Sequence, residues 1–507
     1  MSTTPSQPDP YARIAHRFAT AGKLKAAELM LNWDANTYMP SGGAWARGEQ
    51  MAALTEVGTE LIGGDGVEEA LAEAEEMAHQ LEPDEQADLR EMRRTYVHAS
   101  APPKELLAEK ARMSQQLQAI WKRAKPENDF KAFAGPFDEL LKVIREIAAA
   151  KAEALGTTPY GALMDEYDPG VGEAVVDPIF ADLAESLPPL IQEVLERQAR
   201  WPDPVPYPSA SVERQAALSH KLAIAVGHDP DHFRIDAAPH PFSVPHSPGD
   251  VRFTTRYDVD DVRFSIMATL HEAGHAMYEN NLPRAFAFRP GGLARGMSVH
   301  ESQSLSLEMM AGRSREFVSW LAPRMAEELG GDPAAYTTSN VLNATRRLDD
   351  DYIRVNADEL SYPLHVIMRY RLEKALISGD LQVADLPGVW DDSFEKLLGR
   401  RPPNLAKGCL QDIHWSAGLV GYFPNYAMGA LLAAQLFERA NAEDAEILPA
   451  LGRGDFGPYF AWVKPRVHER ASLVSFSDLV TEATGAPLSA EAFERHVRRR
   501  YLEEAQP

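Results

Sequence analysis

Residues 264–281 read FSIMATLHEAGHAMYENN, and the segment His271-Glu-Ala-Gly-His275 at its centre decides how the rest of the chain is read. Ile266, Leu270 and Met277 give the stretch one apolar face, and Pro283 ends a helix just beyond it. On an α-helix, positions i and i+4 share a face. His271 and His275 can therefore point two imidazole nitrogens at one metal ion. Glu272 projects from the neighbouring side, within reach of a water on that ion, as a general base would. The plain alternative is a surface helix that holds two histidines by chance.

Two histidines leave a catalytic zinc one protein ligand short. The extended pattern HExxHxxGxxH would supply a third histidine, but position 278 is Tyr and position 281 is Asn. The missing ligand must come from elsewhere, and a carboxylate on a following helix suits the task. Residues 298–308, SVHESQSLSLE, offer candidates. Ser298 with Glu301 three residues on has the spacing of a capping box, so Glu301 reads either as a cap or as a ligand. Glu308 lies two turns further on the same face, and His300 is a third candidate. Spacing leaves the choice open.

Composition narrows the class. The chain has 507 residues, 45% hydrophobic and 25% charged, as expected of a globular protein with a large core. A formal net charge of -24 disfavours nucleic acid as a partner. A single cysteine, Cys409, excludes an internal disulfide and reads as a small buried residue. A metal site here must rest on histidine and carboxylate. The opening stretch MSTTPSQPDPYARIAHRF does not read as a secretory signal, and no apolar run of membrane-spanning length occurs. No membrane and a cytoplasmic location are the expectations.

Along the chain, Tyr11 to about Arg200 is strongly helical in pattern, including a long amphipathic helix over Glu105–Ala124 with a solvated polar face. The stretch 201–209, WPDPVPYPS, is an irregular break, either a linker or a loop on one body. Val251 to Tyr257, VRFTTRY, has strand character and predicts a small β element just before the HEAGH helix. Helices then dominate, and Tyr426 to Phe437 reads as a buried one. The expectation is a mainly α-helical protein with a minor sheet: one domain over 1–507, with a helical lobe or lid region over 1–200 and a region over 201–507 that carries the HEAGH helix.

Further motifs extend the reading across the chain. HEAGH followed by His300-Glu301-Ser302-Gln303 resembles the carboxypeptidase Taq family of zinc metallocarboxypeptidases. His240-Pro-Phe242 is similar to that family's HPF motif, and Asp250-Val-Arg252-Phe-Thr254 to DxRxT. Ile353-Arg354-Val-Asn-Ala357-Asp358 resembles IRxxAD. Gly408-Cys-Leu-Gln411-Asp412-Ile-His414-Trp415 resembles GxxQDxHW. Trp33-Asp34-Ala-Asn-Thr37-Tyr-Met39-Pro40 is similar to the N-terminal WDxxTxMP stretch. The resemblance implies His271, His275 and Glu301 as zinc ligands and Glu272 as general base, with Glu308 left to a supporting role. It also implies a two-lobed fold like that of neurolysin and angiotensin-converting enzyme, with a deep central cleft. A homodimer is implied too, and cobalt can stand in place of zinc.

A carboxypeptidase must hydrolyse an amide and recognise a free α-carboxylate. Tyr422 and His414 are candidate donors to the oxyanion. Arg252 and Arg354 are candidates for the terminal carboxylate, since a planar guanidinium matches it. Each could equally be an ordinary ion-paired arginine, because acids such as Asp349, Asp350, Asp351 and Asp358 lie close to Arg354. His240 could touch substrate or merely precede a turn. Asp412 or Asp358 could orient a ligand histidine or pair with an arginine. Trp33 and Asp34 read as packing between lobes. The expected substrates are peptides with a free C-terminus. A related endo- or dipeptidyl peptidase and a metal-stabilised binding protein without turnover are the competing readings.

Overall fold

The computed structural model describes residues 9–244, 249–348 and 351–504. The first eight residues, on which the N-terminal reading partly rests, lie outside that range, as do Asp349 and Asp350. The described chain is mainly helical with one small sheet. None of its helices is long and apolar enough to cross a membrane.

By its internal contacts the chain divides into two units, each assembled from three stretches. Met1–Ser100, Ser209–Arg295 and Asp455–Ala483 make the first; Ala101–Pro208, Gly296–Gly454 and Thr484–Pro507 make the second. The segment 201–209 ends at one of these crossings. Its prolines cannot donate to a ladder, and side-chain amides serve its backbone instead. Asn340 accepts from the Val205 amide at 2.7 Å and donates to the Val205 carbonyl at 2.9 Å, while Asn343 donates to the Pro202 carbonyl at 2.8 Å.

In the first unit, helix Pro10–Thr37 begins with Asp9 as cap and Pro10 in the first turn. Tyr11, Ile14, Ala15 and Phe18, at helical spacing, bury one stripe against Val67, Leu71, Ala74, Leu89 and Met92. Three strands form the sheet: β1 (Phe233–Ala237), β2 (Ser243–Val244) and β3 (Val251–Thr255). β3 is central, parallel to β1 with Phe233 opposite Val251, and antiparallel to β2 with Ser243 opposite Phe253. The HEAGH helix spans Val262–Asn280 and packs against β3 and helix Val212–Val226. It is buried on most sides rather than one, including Leu270, Glu272, Ala273, His275 and Tyr278.

In the second unit, helices Lys104–Glu127 and Phe130–Leu155 pack together. The first buries only Ser114, Leu117 and Ala124, so its charged face is solvated as expected. Helix Pro424–Glu443 contains the apolar stretch read as buried, and Leu431, Leu432 and Ala433 are fully enclosed. It packs along the short helix Met297–Leu305, which carries Glu301.

Candidate metal centre

The HEAGH helix is fixed from its back. His228 donates from Nε2 to the Ala273 carbonyl at 3.1 Å, a carbonyl that can only accept. Burial pushes the His228 imidazole down to about 4, partly opposed by that bond, so the ring is neutral at physiological pH. The Thr269 hydroxyl reaches Ser219 at 2.9 Å, and Ser265 reaches Gln215 at 2.8 Å. At the front, the His271 and His275 rings lie 4.8 Å apart at an interplanar angle of 85°. Glu272 is 6% exposed.

The two positions of the absent third-histidine pattern have other work. The Tyr278 hydroxyl accepts from the Arg295 amide at 3.1 Å, and the Asn281 amide meets His468 Nδ1 at 3.1 Å. Both tie down the chain leaving the helix. Asp88 adds a third tie, accepting from the Gly291 amide at 2.8 Å and the Tyr11 hydroxyl at 3.0 Å.

Glu301 is 6% exposed, on helix Met297–Leu305. The cap of that helix is Gly296, at φ 98°, and not Ser298, which lies inside the first turn and is fully buried. The capping-box reading of Glu301 therefore fails. A side chain at position 296 would also strike Asp168, whose Oδ1 lies 2.4 Å from the Cβ position. Glu308 sits in a π-helical turn, Ser306–Ala311, and pairs with Arg313 at 3.1 Å. Arg500 donates to the Met309 and Met310 carbonyls of that turn at 2.6 and 2.9 Å. Gly429 faces Glu301: a Cβ there would stand 2.7 Å from Glu301 Cβ and 2.8 Å from its Cγ. Only glycine lets the two helices meet at that point.

Among the described residues, His271, His275 and Glu301 form the group whose ligand atoms could share one ion, all lying within 4.8 Å of one another. Two imidazoles and a carboxylate are a borderline-hard donor set that suits a divalent transition metal. The missing side chain at Gly429 leaves room for Glu301 Cβ and Cγ. His300 and Glu308 are not in the group.

The other candidates fall into clusters, each within one unit. His414, 8% exposed, meets the Tyr426 hydroxyl through Nε2 at 3.1 Å. The Tyr422 ring stands 5.3 Å from that of Tyr426, 5.7 Å from His414 and 5.0 Å from Tyr167. Burial, then neighbouring Tyr426 and the Glu301 charge, raise the Tyr422 phenol well above its ordinary value, so its O–H stays a donor. Tyr426 is pushed up to about 12, mainly by burial.

Arg354 is buried and donates from Nε and Nη2 to Asp412 Oδ1 at 3.2 and 3.0 Å. Its amide reaches the Gln411 side chain at 2.8 Å, and its guanidinium lies 4.6 Å over the Tyr426 ring. Arg369 donates to the other Asp412 oxygen at 2.7 Å. Burial works to raise the Asp412 carboxyl, but Arg354 and Arg369 hold it well below the usual carboxylate range. Asp412 thus pairs with arginines, and Asp358 caps a turn through the Leu360 and Ser361 amides, both at 2.9 Å.

Arg252, on β3, makes a two-pronged bond to Asp250 at 2.8 Å on each arm and lies 4.8 Å over Trp33. Arg234, its register neighbour on β1, covers the same indole at 5.5 Å. Trp33 therefore packs within the first unit, and Asp34 pairs with Arg47 at 2.7 Å. His240 is exposed, and its carbonyl accepts from the Thr254 hydroxyl at 3.2 Å. Motifs distant in sequence thus join in space. HPF and DxRxT meet at Thr254, and WDxxTxMP meets DxRxT at Trp33. IRxxAD and GxxQDxHW meet at the Arg354–Asp412 pair.

As site groups, Tyr426, which meets His414, and Arg369, which binds Asp412, escaped the sequence reading. A charged residue inside the apolar run 362–378, YPLHVIMRYRLEKALIS, was the available signal for Arg369. A separate cavity of about 590 Å³ in the second unit, lined by Tyr160, Glu173, Asp177, Phe180, Tyr370 and Lys374, contains none of the candidate residues. Lys374 there is already bridged by Glu173 and Asp177 at 3.1 and 2.9 Å.

The carboxypeptidase Taq (M32) metallopeptidase family model matches residues 13–501. Thermostable carboxypeptidase 1 of Thermus thermophilus is 36% identical over 97% of each chain. The solved structure of Trypanosoma cruzi metallocarboxypeptidase 1 superposes with a TM-score of 0.94 at 36% identity, covering 97% of this chain and 99% of that one. A Pyrococcus furiosus carboxypeptidase structure gives a TM-score of 0.92 at 30% identity, covering 98% and 99%. The chain belongs to the carboxypeptidase Taq (M32) metallopeptidase family. It is accordingly a metallocarboxypeptidase, a hydrolase acting on peptides.

Proposed function

We propose that this chain is a zinc-dependent carboxypeptidase that releases single residues from the free C-terminus of peptides. The carrying observation is the convergence of His271, His275 and Glu301 in a chain of this family. Zinc, or cobalt in its place, supplies a Lewis acid that polarises the scissile carbonyl and lowers the pKa of water toward about 7. Glu272 takes the proton of the attacking water and returns it to the leaving amine. Tyr422, kept protonated by its surroundings, donates to the oxyanion, and His414 is the second donor. Arg252 or Arg354 is the group for the terminal carboxylate, with His240 a further substrate contact. In each arginine, Nε and Nη2 already bind an aspartate, which presets the guanidinium plane. The enzyme acts as one peptidase domain, in a homodimer, in the cytoplasm.

A mass-spectrometric time course on one unstructured peptide, free or amidated at its C-terminus, tests this. The expected result is a ladder of single-residue losses from the free form only. Internal fragments from both forms would mean an endopeptidase and would return both arginines to structural roles.

A further inference from the structure

Residues 400–423, which carry His414 and Tyr422, contain no helix or strand. Local turns, such as those that bring the Ala417 and Leu419 amides to the His414 carbonyl, give the segment some backbone bonds of its own, and side chains from outside fix it further. Trp121 and Lys125 hold its first half, donating to the Leu410 and Gln411 carbonyls at 2.8 and 2.7 Å. The half that bears the two candidate groups converges on one carboxylate. Glu373, from the middle of helix Tyr362–Ser378, is fully buried. Its Oε1 accepts from Trp415 Nε1 at 2.8 Å. Its Oε2 accepts from the Gly421 amide at 2.9 Å and from the Tyr160 hydroxyl at 2.8 Å. Trp415 adjoins His414, and Gly421 adjoins Tyr422.

Gly421 is itself confined. Its φ is +88°, and a Cβ there would come within 2.9 Å of the Leu163 carbonyl carbon. The loop end is therefore seated against helix Pro159–Tyr167, with Glu373 as its anchor.

We propose that Glu373 is a positioning residue for peptide hydrolysis, its carboxylate setting the placement of His414 and Tyr422 by gripping the residue next to each. This rests on the reading of those two residues as groups that act on the substrate. The chemistry of the grip is one-sided. Trp415 Nε1 and the Gly421 amide can only donate, and a carboxylate accepts from both. A carboxyl group carries an O–H of its own, which neither can receive. The charged and titratable groups facing Glu373 are Tyr160 and Tyr167 from the neighbouring helix and Arg369 from its own. Burial raises the carboxyl to about 7, against the three hydrogen bonds and Arg369, which lower it. Proton uptake near neutrality turns the O–H toward the Tyr160 hydroxyl, which can accept it, and replaces charge-assisted bonds to Trp415 and Gly421 by weaker neutral ones, so the grip on the loop weakens.

The test uses the full-length protein in two readouts. In the first, the indole ¹⁵N–¹H resonance of Trp415, identified by its loss in Trp415→Phe, is followed against pH. It should titrate near pH 7 in the wild type and stay flat in Glu373→Gln. In Tyr160→Phe, which removes one donor to the carboxylate and keeps the ring, the midpoint should move up. In the second, Glu373→Gln should lower kcat about tenfold or more at pH 8 with KM within about twofold, and its acid limb should differ from that of the wild type, keeping only the contribution of the general base Glu272. Tyr160→Phe should keep its alkaline kcat and shift the limb upward, and it carries the test if Glu373→Gln does not fold. Coincident pH profiles in wild type and variants would overturn the inference while leaving the proposed function standing. Near-normal kcat in both Tyr422→Phe and His414→Ala would remove the roles it rests on and overturn it by that route.

Discussion

Glu272, Glu301 and Glu373 carry one functional group in different surroundings, and the surroundings decide its use. Glu301 is backed by a glycine and shares a ligand cluster with two imidazoles. Glu373 is fully buried and faces three donors. Glu272 follows the first ligand candidate directly, where a base is useful and a third ligand is not. Glu272→Gln keeps the shape and removes the basicity. We expect turnover to fall by roughly 10²–10⁴-fold with bound metal unchanged by elemental analysis. Turnover close to wild type would remove Glu272 from the reaction. At this scale the sequence was most informative, because HEAGH is a local pattern whose spacing alone implies a shared face. The cap at Gly296 was not legible from Ser298 and Glu301. It depends on a left-handed glycine and on Asp168, a residue remote in the chain.

Among elements, the HEAGH helix was expected over 264–281 and spans Val262–Asn280, an end-to-end difference within ordinary fraying. The strand reading of 251–257 matches β3, Val251–Thr255. Its two partners are harder to see, since β2 has only two residues. The π-helical turn after Glu301 has no local signature. Its carbonyls are met by Arg500, almost 200 positions later, and long-range partners leave no trace in local periodicity. The contact between the Glu301 helix and Pro424–Glu443 gives a direct prediction. Gly429→Ala should cost about 1–3 kcal/mol by overpacking. It should also displace Glu301, so the rise in Tm on adding zinc to chelated protein should shrink. A variant with the full zinc-dependent rise would show that Glu301 does not need that clearance.

At the scale of the whole molecule, the division into units was the least legible feature. Each unit combines three distant stretches, whereas composition and punctuation report only on neighbours in sequence. The pH response belongs to this scale as well. Glu359 is buried, but Arg500 and His496 hold its carboxyl below the usual range. Its contribution is present above the ordinary carboxylate value and is lost as pH falls through the folded one. Glu373 has the opposite sign. Its folded value, about 7, exceeds its ordinary 4.5, so its contribution is present below about 4.5 and lost as pH rises through 7. Denaturant midpoints of wild type and Glu373→Gln should therefore diverge across pH 5–8, by a difference on the order of 3 kcal/mol at most. Parallel curves would contradict a raised carboxyl at 373. Arg500→Met, by stranding a buried charge, should cost about 3–5 kcal/mol at pH 7. It should cost less where Glu359 is protonated, and a loss independent of pH would point to packing instead.

The grip of Arg500 on Glu359 also bears on how the protein is made. Glu359 emerges from the ribosome well before residue 500 is synthesised, and until then it lacks the guanidinium that donates to both of its oxygens. The π-helical turn behind Glu301 waits for the same residue. The second unit thus lacks these contacts while its earlier helices appear and gains them only once residue 500 is available. A chain cut just before Arg500 would hold every motif described above and still lack the contacts behind Glu301.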